Sequence, residues 1–543
     1  MKTRSDVTGD KLRGGYYSPD ELVDRCLERI GELTAGMGQL RILEPSSGDG
    51  AFIRGLQRNR SLAERTTWLD AIELIPAEAA LCASELERCG LPGAVRTGSA
   101  IPWAGTTHDL YEVAIGNPPY VRFQFVPQSD RTALPALGTK IGVSFGGVSN
   151  LWLPVLLGAL NRLVTDGAFA FIIPAECFTG ISAGVLRKWL VQNTRSLRFD
   201  LFPPGSFPSV LQEVVILSGC RRERSDTPTT CEIREHSIDS AFSSAAHHVP
   251  PTAAPWTKYL LTNDGIDALE QASALAEVCA LGSIAKFEVA AVTGANDFFS
   301  VDEATLRDYD LAPWSTPLLP RLRHAEGLRY TALDHRAAGD SGAKTHLLDF
   351  SADRPDPSES RRALAYLAGG EQGGLPERCK CRIRKPWYRV PFIRPGRLMM
   401  SKRSHHFHKV IVNDAGVVTT DTIYRGSMIG SFAGREDDRA AAFHNSLTLL
   451  TAEVEGRSFG GGVLELVPSE VARLLVPLPI GFGVELDRLD AVARSHGASA
   501  TGEALVHDTD QLLVKADIGF STDLVERLHT ARLSLLQRRL DRN

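Results

Sequence analysis

The sequence predicts an α/β protein whose N-terminal half is built on a mostly parallel sheet with helices on both faces. Three observations predict it. Short apolar runs alternate with helical patterns through the first 220 residues. The first of these runs, Arg41 to Glu44, leads into a glycine turn, Pro45-Ser46-Ser47-Gly48-Asp49-Gly50, of the kind that lets a ligand approach the backbone. A later run, Leu110 to Gly116, stops at Asn117-Pro118-Pro119-Tyr120, and a proline pair cannot stay in a hydrogen-bonded ladder.

In chain order, a helix is expected over Asp20 to Ile30, starting cleanly after Pro19. Strands are expected at Arg41 to Glu44, Trp68 to Leu74, Ala94 to Thr97, Leu110 to Gly116, Ala168 to Ile173 and Glu213 to Leu217. A second clear helical pattern runs from Ser182 to Val191, with Ser182 as its N-cap. The Ser/Ala-rich stretch with a His pair and Pro250-Pro251 reads as a linker. Beyond it the chain is richer in Gly, Pro and Arg, with short strand-like pieces. The end is charged and helical, with Leu524, Leu528, Leu533, Leu535 and Leu536 as an apolar stripe. The expected division is a catalytic domain over 1–240, a linker over 241–259, a mixed α+β domain over 260–480 and a helical extension over 481–543.

At 543 residues the chain exceeds what one core usually organises. Hydrophobic and charged contents of 43% and 23% are ordinary for a soluble globular protein. No apolar run reaches membrane-spanning length, and Met1 to Asp6 lacks the apolar core of a secretory signal. Nine cysteines scattered through apolar patterns read as a reducing cytoplasm. The net charge of −5 hides a local excess: Arg378 to Lys409 holds eleven Lys or Arg and no Asp or Glu, with Trp387, Tyr388, Phe392 and Phe407 interleaved. Such a segment suits phosphates, or forms a solvated strand pair.

The turn after the first strand lacks the Gly-Lys-Ser/Thr of a phosphate cradle. Its acids, Glu44 and Asp49, would repel a pyrophosphate and suit a cation. Glu73 closes the next strand, where an acid accepts hydrogen bonds from ribose hydroxyls. A dinucleotide site or a bare structural turn also explains the glycines taken alone. With Glu73 and the Asn117 tetrapeptide, the pattern points to S-adenosylmethionine, which joins a ribose to ammonium and sulfonium groups.

The order Gly15-Tyr16-Tyr17-Ser18-Pro19, Leu43 to Phe52, Glu73 and Asn117 to Tyr120 resembles the gamma-class, TaqI-type N6-adenine DNA methyltransferases of restriction–modification systems. Asn150-Leu151-Trp152 to Pro174, Gly205-Ser206-Phe207-Pro208, Ala290 to Phe299 and Gly460-Gly461-Gly462 extend the resemblance over roughly 15–480. It implies a Rossmann-like sheet with a late antiparallel strand, followed by a target-recognition domain. It implies that Tyr17, Ser18 and Pro19 close over the methionine part of the cofactor, that Glu44, Pro45, Gly48 and Gly50 line it, and that Glu73 holds the ribose. One position departs: Ser99 stands where the family usually has an acid for the cofactor adenine, and a neutral hydroxyl should bond that amino group more weakly, by about a kcal/mol.

By the same resemblance, Asn117 and the Pro118 carbonyl would hold the amino group of a flipped adenine. Pro119 belongs to the same catalytic tip, Tyr120 would stack on one face of the base, and Phe207 would take the other face or an edge, or pack in the core. No cysteine nucleophile is required, and Cys177 reads as a buried thiol. The implied substrate is double-stranded DNA. Arg321, Arg323, Lys402, Arg403 and His405 are candidate contacts, each equally suited to a surface ion pair. Cys379-Lys380-Cys381 with His405, His406 and His408 lacks zinc spacing, so no metal is expected. The stretch before the first strand is too short for a fused endonuclease, so a cognate nuclease would be a separate chain. Two alternatives remain: an amino-methyltransferase acting on RNA or protein glutamine, or a DNA-binding module with weakened catalysis.

Overall fold

The computed structural model describes residues 18–146, 150–203, 206, 214–237, 241–391, 394–459, 461–495 and 502–541. The chain divides into two compact units, Met1–Leu260 and Leu261–Asn543.

The first unit is a nine-stranded sheet of order β3-β2-β1-β4-β5-β7-β6-β8-β9. Its strands are β1 (Leu40–Glu44), β2 (Thr66–Glu73), β3 (Gly93–Thr97), β4 (Tyr111–Gly116), β5 (Leu163–Pro174), β6 (Thr194–Leu201), β7 (Val214–Arg221), β8 (Thr229–His236) and β9 (Phe242–Val249). The first five pair in parallel, and β7 runs antiparallel to β5 and β6. This bears out the mostly parallel sheet with a late antiparallel strand. Strand order reverses between β1 and β4, whose register pairs Ile42 with Val113 and Leu43 with Ala114. Their C-terminal ends therefore lie side by side, and this is where open α/β sheets hold ligands.

Helices cover both faces. α1 (Asp20–Leu33) begins after Pro19 and buries Leu22, Val23, Cys26, Leu27 and Ile30, which are spaced along one face. It joins the core formed by α2 (Ala51–Arg58) and one face of the sheet, with Phe52, Ile53, Leu56, Ile115 and Ile172 at its centre. Further helices follow in sequence: α3 (Arg60–Arg65), α4 (Pro76–Cys89), α5 (Ala100–Thr106), α6 (Gln128–Ile141), α7 (Trp152–Leu160) and α8 (Gly184–Asn193). Every residue of α7 is buried, as its continuously apolar sequence requires.

Three expectations need correction. Ser182 does not cap α8: it lies within a single 3₁₀ turn, Ile181–Ala183, and the residue before the helix is Ala183, with no side-chain cap. The linker reading fails over Phe242–Val249, which forms β9 along the whole of β8, from His236 opposite Phe242 to Thr229 opposite Val249. Its short side chains resemble a linker, yet its backbone pairs in full. In the terminal helix, Thr522–Leu540, Leu524, Leu528, Leu535 and Leu536 are buried while Leu533 is 37% exposed. Positions 524, 528, 535 and 536 share one face at helical spacing, and 533 falls off it.

Among the described residues the second unit holds four smaller sheets. The largest joins Ala285–Val289, Ile423–Met428, Leu398–Ser401, Val410–Asn413 and Arg329–Tyr330. The terminal helix packs against Ser446–Glu455 and Asn263–Ser273. Arg539 on it makes a buried two-pronged pair with Glu453, at 2.9 and 2.6 Å. The segment after 480 is thus part of this unit's core. Among the described residues no helix is long and apolar enough to cross a membrane.

Candidate active site

The crevice is built where β1, β2, β3 and β4 end. Gly48 and Gly50 take left-handed backbone angles, φ +52° and +86°, which glycine tolerates without strain. A Cβ at Gly48 would meet nothing within 4 Å, so open space adjoins the backbone there. At Gly50 it would stand 3.1 Å from Glu85 Cβ, where the turn packs on α4. Pro45 abuts Gly116: a Cβ on that glycine would lie 3.5 Å from Pro45 Cδ.

Glu73 ties this turn to the end of β2. The Gly48 N–H donates to its Oε2 at 2.9 Å and the Ile75 N–H to its Oε1 at 2.8 Å. The Gly98 N–H donates to its carbonyl at 2.8 Å. Each carboxylate oxygen keeps a further lone pair for a ligand. Glu44 is 1% exposed, and its Oε2 has no hydrogen-bond partner. Burial pushes its carboxyl well above the usual range, and repulsion from Glu73 and Asp49 adds to the rise; Arg54 partly offsets it. Arg54 is itself engaged by Asp49 at 2.9 Å. The crevice is thus acceptor-rich and short of cationic partners, and it suits a ligand bearing positive charge and hydroxyl donors.

At the tip of β4, Asn117 uses its groups in three ways. Its Nδ2 donates to Ser18 Oγ at 3.2 Å, and its carbonyl accepts from Ser46 Oγ at 3.1 Å. Its Oδ1 is buried with no partner. Tyr120 is half-buried against the core, and its hydroxyl donates to the Ile172 carbonyl on β5 at 3.2 Å, which fixes the ring. Ser99 caps α5, accepting from the Ile101 N–H at 3.3 Å, so its hydroxyl is already engaged.

The structure therefore brings together Ser18, Glu44, Pro45, Gly48, Gly50, Glu73, Ser99, Asn117 and Tyr120 around one group of strand ends. Pro19 adjoins them, and Pro118 and Pro119 connect Asn117 to Tyr120. Tyr17 and Phe207 lie outside the described residues. Sequence reasoning missed Ser46, whose hydroxyl binds the tip; nothing separates it from an ordinary turn serine. Cys177 is buried.

In the second unit the basic residues separate by role. Arg321, Arg323 and Lys344 line a cleft of about 450 Å³ with His324, Asn296 and Asp297. Lys402 and Arg403 both pair with Glu465, and the side chain of His405 is exposed. Arg384 is spent on the Thr293 carbonyl, and Lys409 on the carbonyls of Ala325 and Glu326. Trp387 and Tyr388 pack with Phe298, Phe299 and Phe350. Arg378, Lys380, Arg382, Lys385 and Arg389 stay exposed. Among the described residues no group of three His, Cys, Asp or Glu is placed to hold a metal.

Comparison with known proteins agrees with this architecture. Residues 85–205 match the family "Eco57I restriction-modification methylase", and residues 253–513 match "Type II methyltransferase M.Eco57I, C-terminal domain". The Type II methyltransferase M.AccI of Acinetobacter calcoaceticus is 20% identical over 382 residues, covering 66% of this chain and 68% of that protein. M.XamI of Xanthomonas campestris pv. amaranthicola is 22% identical over 489 residues, covering 86% and 85%. Among solved structures, the ATP-dependent Type ISP restriction-modification enzyme LlaBIII bound to DNA shares the fold at a TM-score of 0.50 and 10% identity. The match covers 97% of this chain and 46% of that one, so the chain spans just under half of LlaBIII.

The cofactor that this family and fold imply is S-adenosylmethionine, and the crevice fits it. Glu44 and Asp49 suit its cationic groups, Glu73 suits its ribose hydroxyls, and the open side of Gly48 leaves room beside the backbone. The chain's two matched segments support a restriction–modification methyltransferase, with S-adenosylmethionine as its cofactor.

Proposed function

We propose that the chain is a site-specific, gamma-class TaqI-type DNA methyltransferase that methylates the N6 amino group of an adenine flipped out of duplex DNA. One observation carries the reading. Asn117 sits at the tip of β4 with its Nδ2 and its carbonyl already engaged, and its Oδ1 is left buried and unfilled. A buried acceptor without a donor is costly, and an exocyclic amino group is a donor that would relieve it.

The chemistry follows from that acceptor. The lone pair of an adenine amino nitrogen is delocalised into the ring, so the nitrogen is a poor nucleophile. Asn117 Oδ1 and the Pro118 carbonyl would each take one N–H, which returns electron density to the nitrogen and aligns its lone pair. S-adenosylmethionine supplies a methyl group on a positively charged sulfur. Glu44 and Asp49 would favour that positive charge, and Glu73 would hold the ribose. Alignment of this sort supplies most of the acceleration that an in-line transfer needs. A stacked base cannot enter a pocket at strand tips, so the target must be extruded at a cost of a few kcal/mol. The Tyr120 ring, tethered to Ile172, offers a fixed surface for one face of the base. Arg321 and Arg323 in their cleft, with the exposed bases from Arg378 to Arg389, would hold the phosphates. In a restriction–modification setting the mark would protect DNA from a separately encoded endonuclease.

Long-read sequencing of DNA from cells expressing the chain tests this reading. The expected result is N6-methyladenine at one recurring sequence context. Unmodified adenines, or methyl groups on cytosine instead, would refute it.

A further inference from the structure

We propose that Asp297 determines one position of the recognition sequence, accepting a hydrogen bond from the major-groove amino group of a base other than the one methylated, cytosine N4 or adenine N6. The inference rests on duplex DNA as the substrate, proposed above.

Asp297 lies on the wall of the second unit's cleft, together with Arg321, Arg323 and Lys344. It is exposed, and among the described residues its carboxylate enters no ion pair and no hydrogen bond. Arg321 and Arg323 are exposed as well, and neither is paired with an acid among the described residues. Lys344 Nζ donates at 2.8 Å to the Asp297 carbonyl, not to its carboxylate. His324 supplies no charge either. Burial and the neighbouring Arg323 and Arg321 hold its pKa below the usual range, so it is neutral at pH 7. Opposite charges therefore line one cleft without meeting.

The acid is firmly placed. It stands in the short helix Asn296–Phe299, and each residue of that helix is tied down. Asn296 Nδ2 donates to Asp421 at 3.0 Å, Lys344 holds the Asp297 carbonyl, the Tyr366 hydroxyl donates to the Phe298 carbonyl, and Phe299 is fully buried. A side chain that tells one base edge from another needs such rigid support.

The chemistry of a lone acid among cations narrows its partner. Phosphates are drawn to Arg321 and Arg323 and repelled by a carboxylate, so Asp297 weakens sequence-independent binding. An ionised carboxylate only accepts hydrogen bonds. Phosphate and deoxyribose oxygens along the backbone are acceptors too, and the donors that the major groove offers are cytosine N4 and adenine N6. Guanine O6 or thymine O4 in that place would set acceptor against acceptor, which is discrimination by repulsion. The cleft thus combines cations for the backbone with one acceptor for a base edge.

The test compares the full chain with Asp297→Ala by long-read sequencing of DNA from cells expressing each. The variant should modify the same adenine while one fixed base pair of the context gives way to several. A G·C pair at that position assigns cytosine N4, and an A·T pair assigns adenine N6. On duplexes that differ only there, the wild type should discriminate by about tenfold or more in kcat/KM, and the variant by no more than about threefold. Inosine in place of a guanine at that pair, which deletes only the minor-groove amino group, should change nothing. Melting curves check folding, and Asp297→Asn, which keeps one acceptor oxygen, should relax the same position less. An unchanged context in a folded variant, or a loss of activity equal on all sequences, overturns the role of Asp297 and leaves the DNA methyltransferase reading intact. A wild type that leaves DNA unmodified overturns both.

Discussion

Single residues show where binding has been given priority over stability. Glu44 is buried beside Glu73 and Asp49 with one oxygen unfilled, an arrangement that weakens the folded protein at neutral pH. Its folded-state carboxyl binds a proton more readily than the unfolded one. The folded state is therefore penalised above that raised pKa and relieved as pH falls through it. Glu44→Gln should raise the ligand-free melting temperature at pH 8 by an amount worth on the order of 1 kcal/mol, with the gain shrinking on acidification, while weakening cofactor binding. A lower melting temperature at pH 8 would mean that Glu44 is held by a partner. Tyr120 allows its two roles to be separated. Tyr120→Phe keeps the ring and loses the bond to Ile172, a loss of about 1 kcal/mol. Tyr120→Ala should cost more turnover on a fully paired duplex than on one mismatched at the target base. Equal losses on the two substrates would remove the ring from base holding. Most of this constellation was legible in the sequence, because Glu44, Glu73 and Asn117 each follow an apolar run that fixes their place. The role of Ser99 was not, since only folding shows its hydroxyl accepting from the Ile101 N–H to cap α5.

At the scale of elements, the strands with apolar runs were readable and those with charge were not. β6 carries Arg198 and Asp200 into the buried sheet. Arg198 meets Asp200 of the same strand at 2.9 Å, and His236 of β8 meets the other oxygen at 2.8 Å, so the second partner comes from a neighbouring strand. No pattern within β6 alone reveals that partner. β9 was hidden differently: its serines, alanines and histidines look like a tether, and their pairing with β8 involves the backbone. Hydrogen exchange distinguishes the two. Alternate amides of Phe242–Val249 should be protected by about tenfold or more over an unstructured chain. Uniformly fast exchange would restore the linker.

For the molecule as a whole, net charge says little and the location of unspent cations says more. Arg403 is half of an ion pair with Glu465, whereas Arg321 and Arg323 face an open cleft. Reversing both cleft arginines to Glu should weaken duplex binding and lower the salt slope by about two, whereas Arg403→Glu should leave the slope unchanged. Identical slopes in all three proteins would assign phosphate binding elsewhere. The sequence could count the basic residues but could not tell which were spent on carbonyls, as Arg384 and Lys409 are. The central claim is that Asn117, whose Oδ1 is buried and unfilled, holds the target amino group. The most direct measurement incubates the purified chain and its Asn117→Ala variant with duplex DNA and isotopically labelled S-adenosylmethionine, then digests the DNA to nucleosides for mass spectrometry. The account predicts labelled N6-methyladenine from the wild type and a loss of at least about a thousandfold in the variant, with cofactor affinity nearly unchanged. Labelled adenine formed equally by both proteins, or label appearing only on another base, would contradict it.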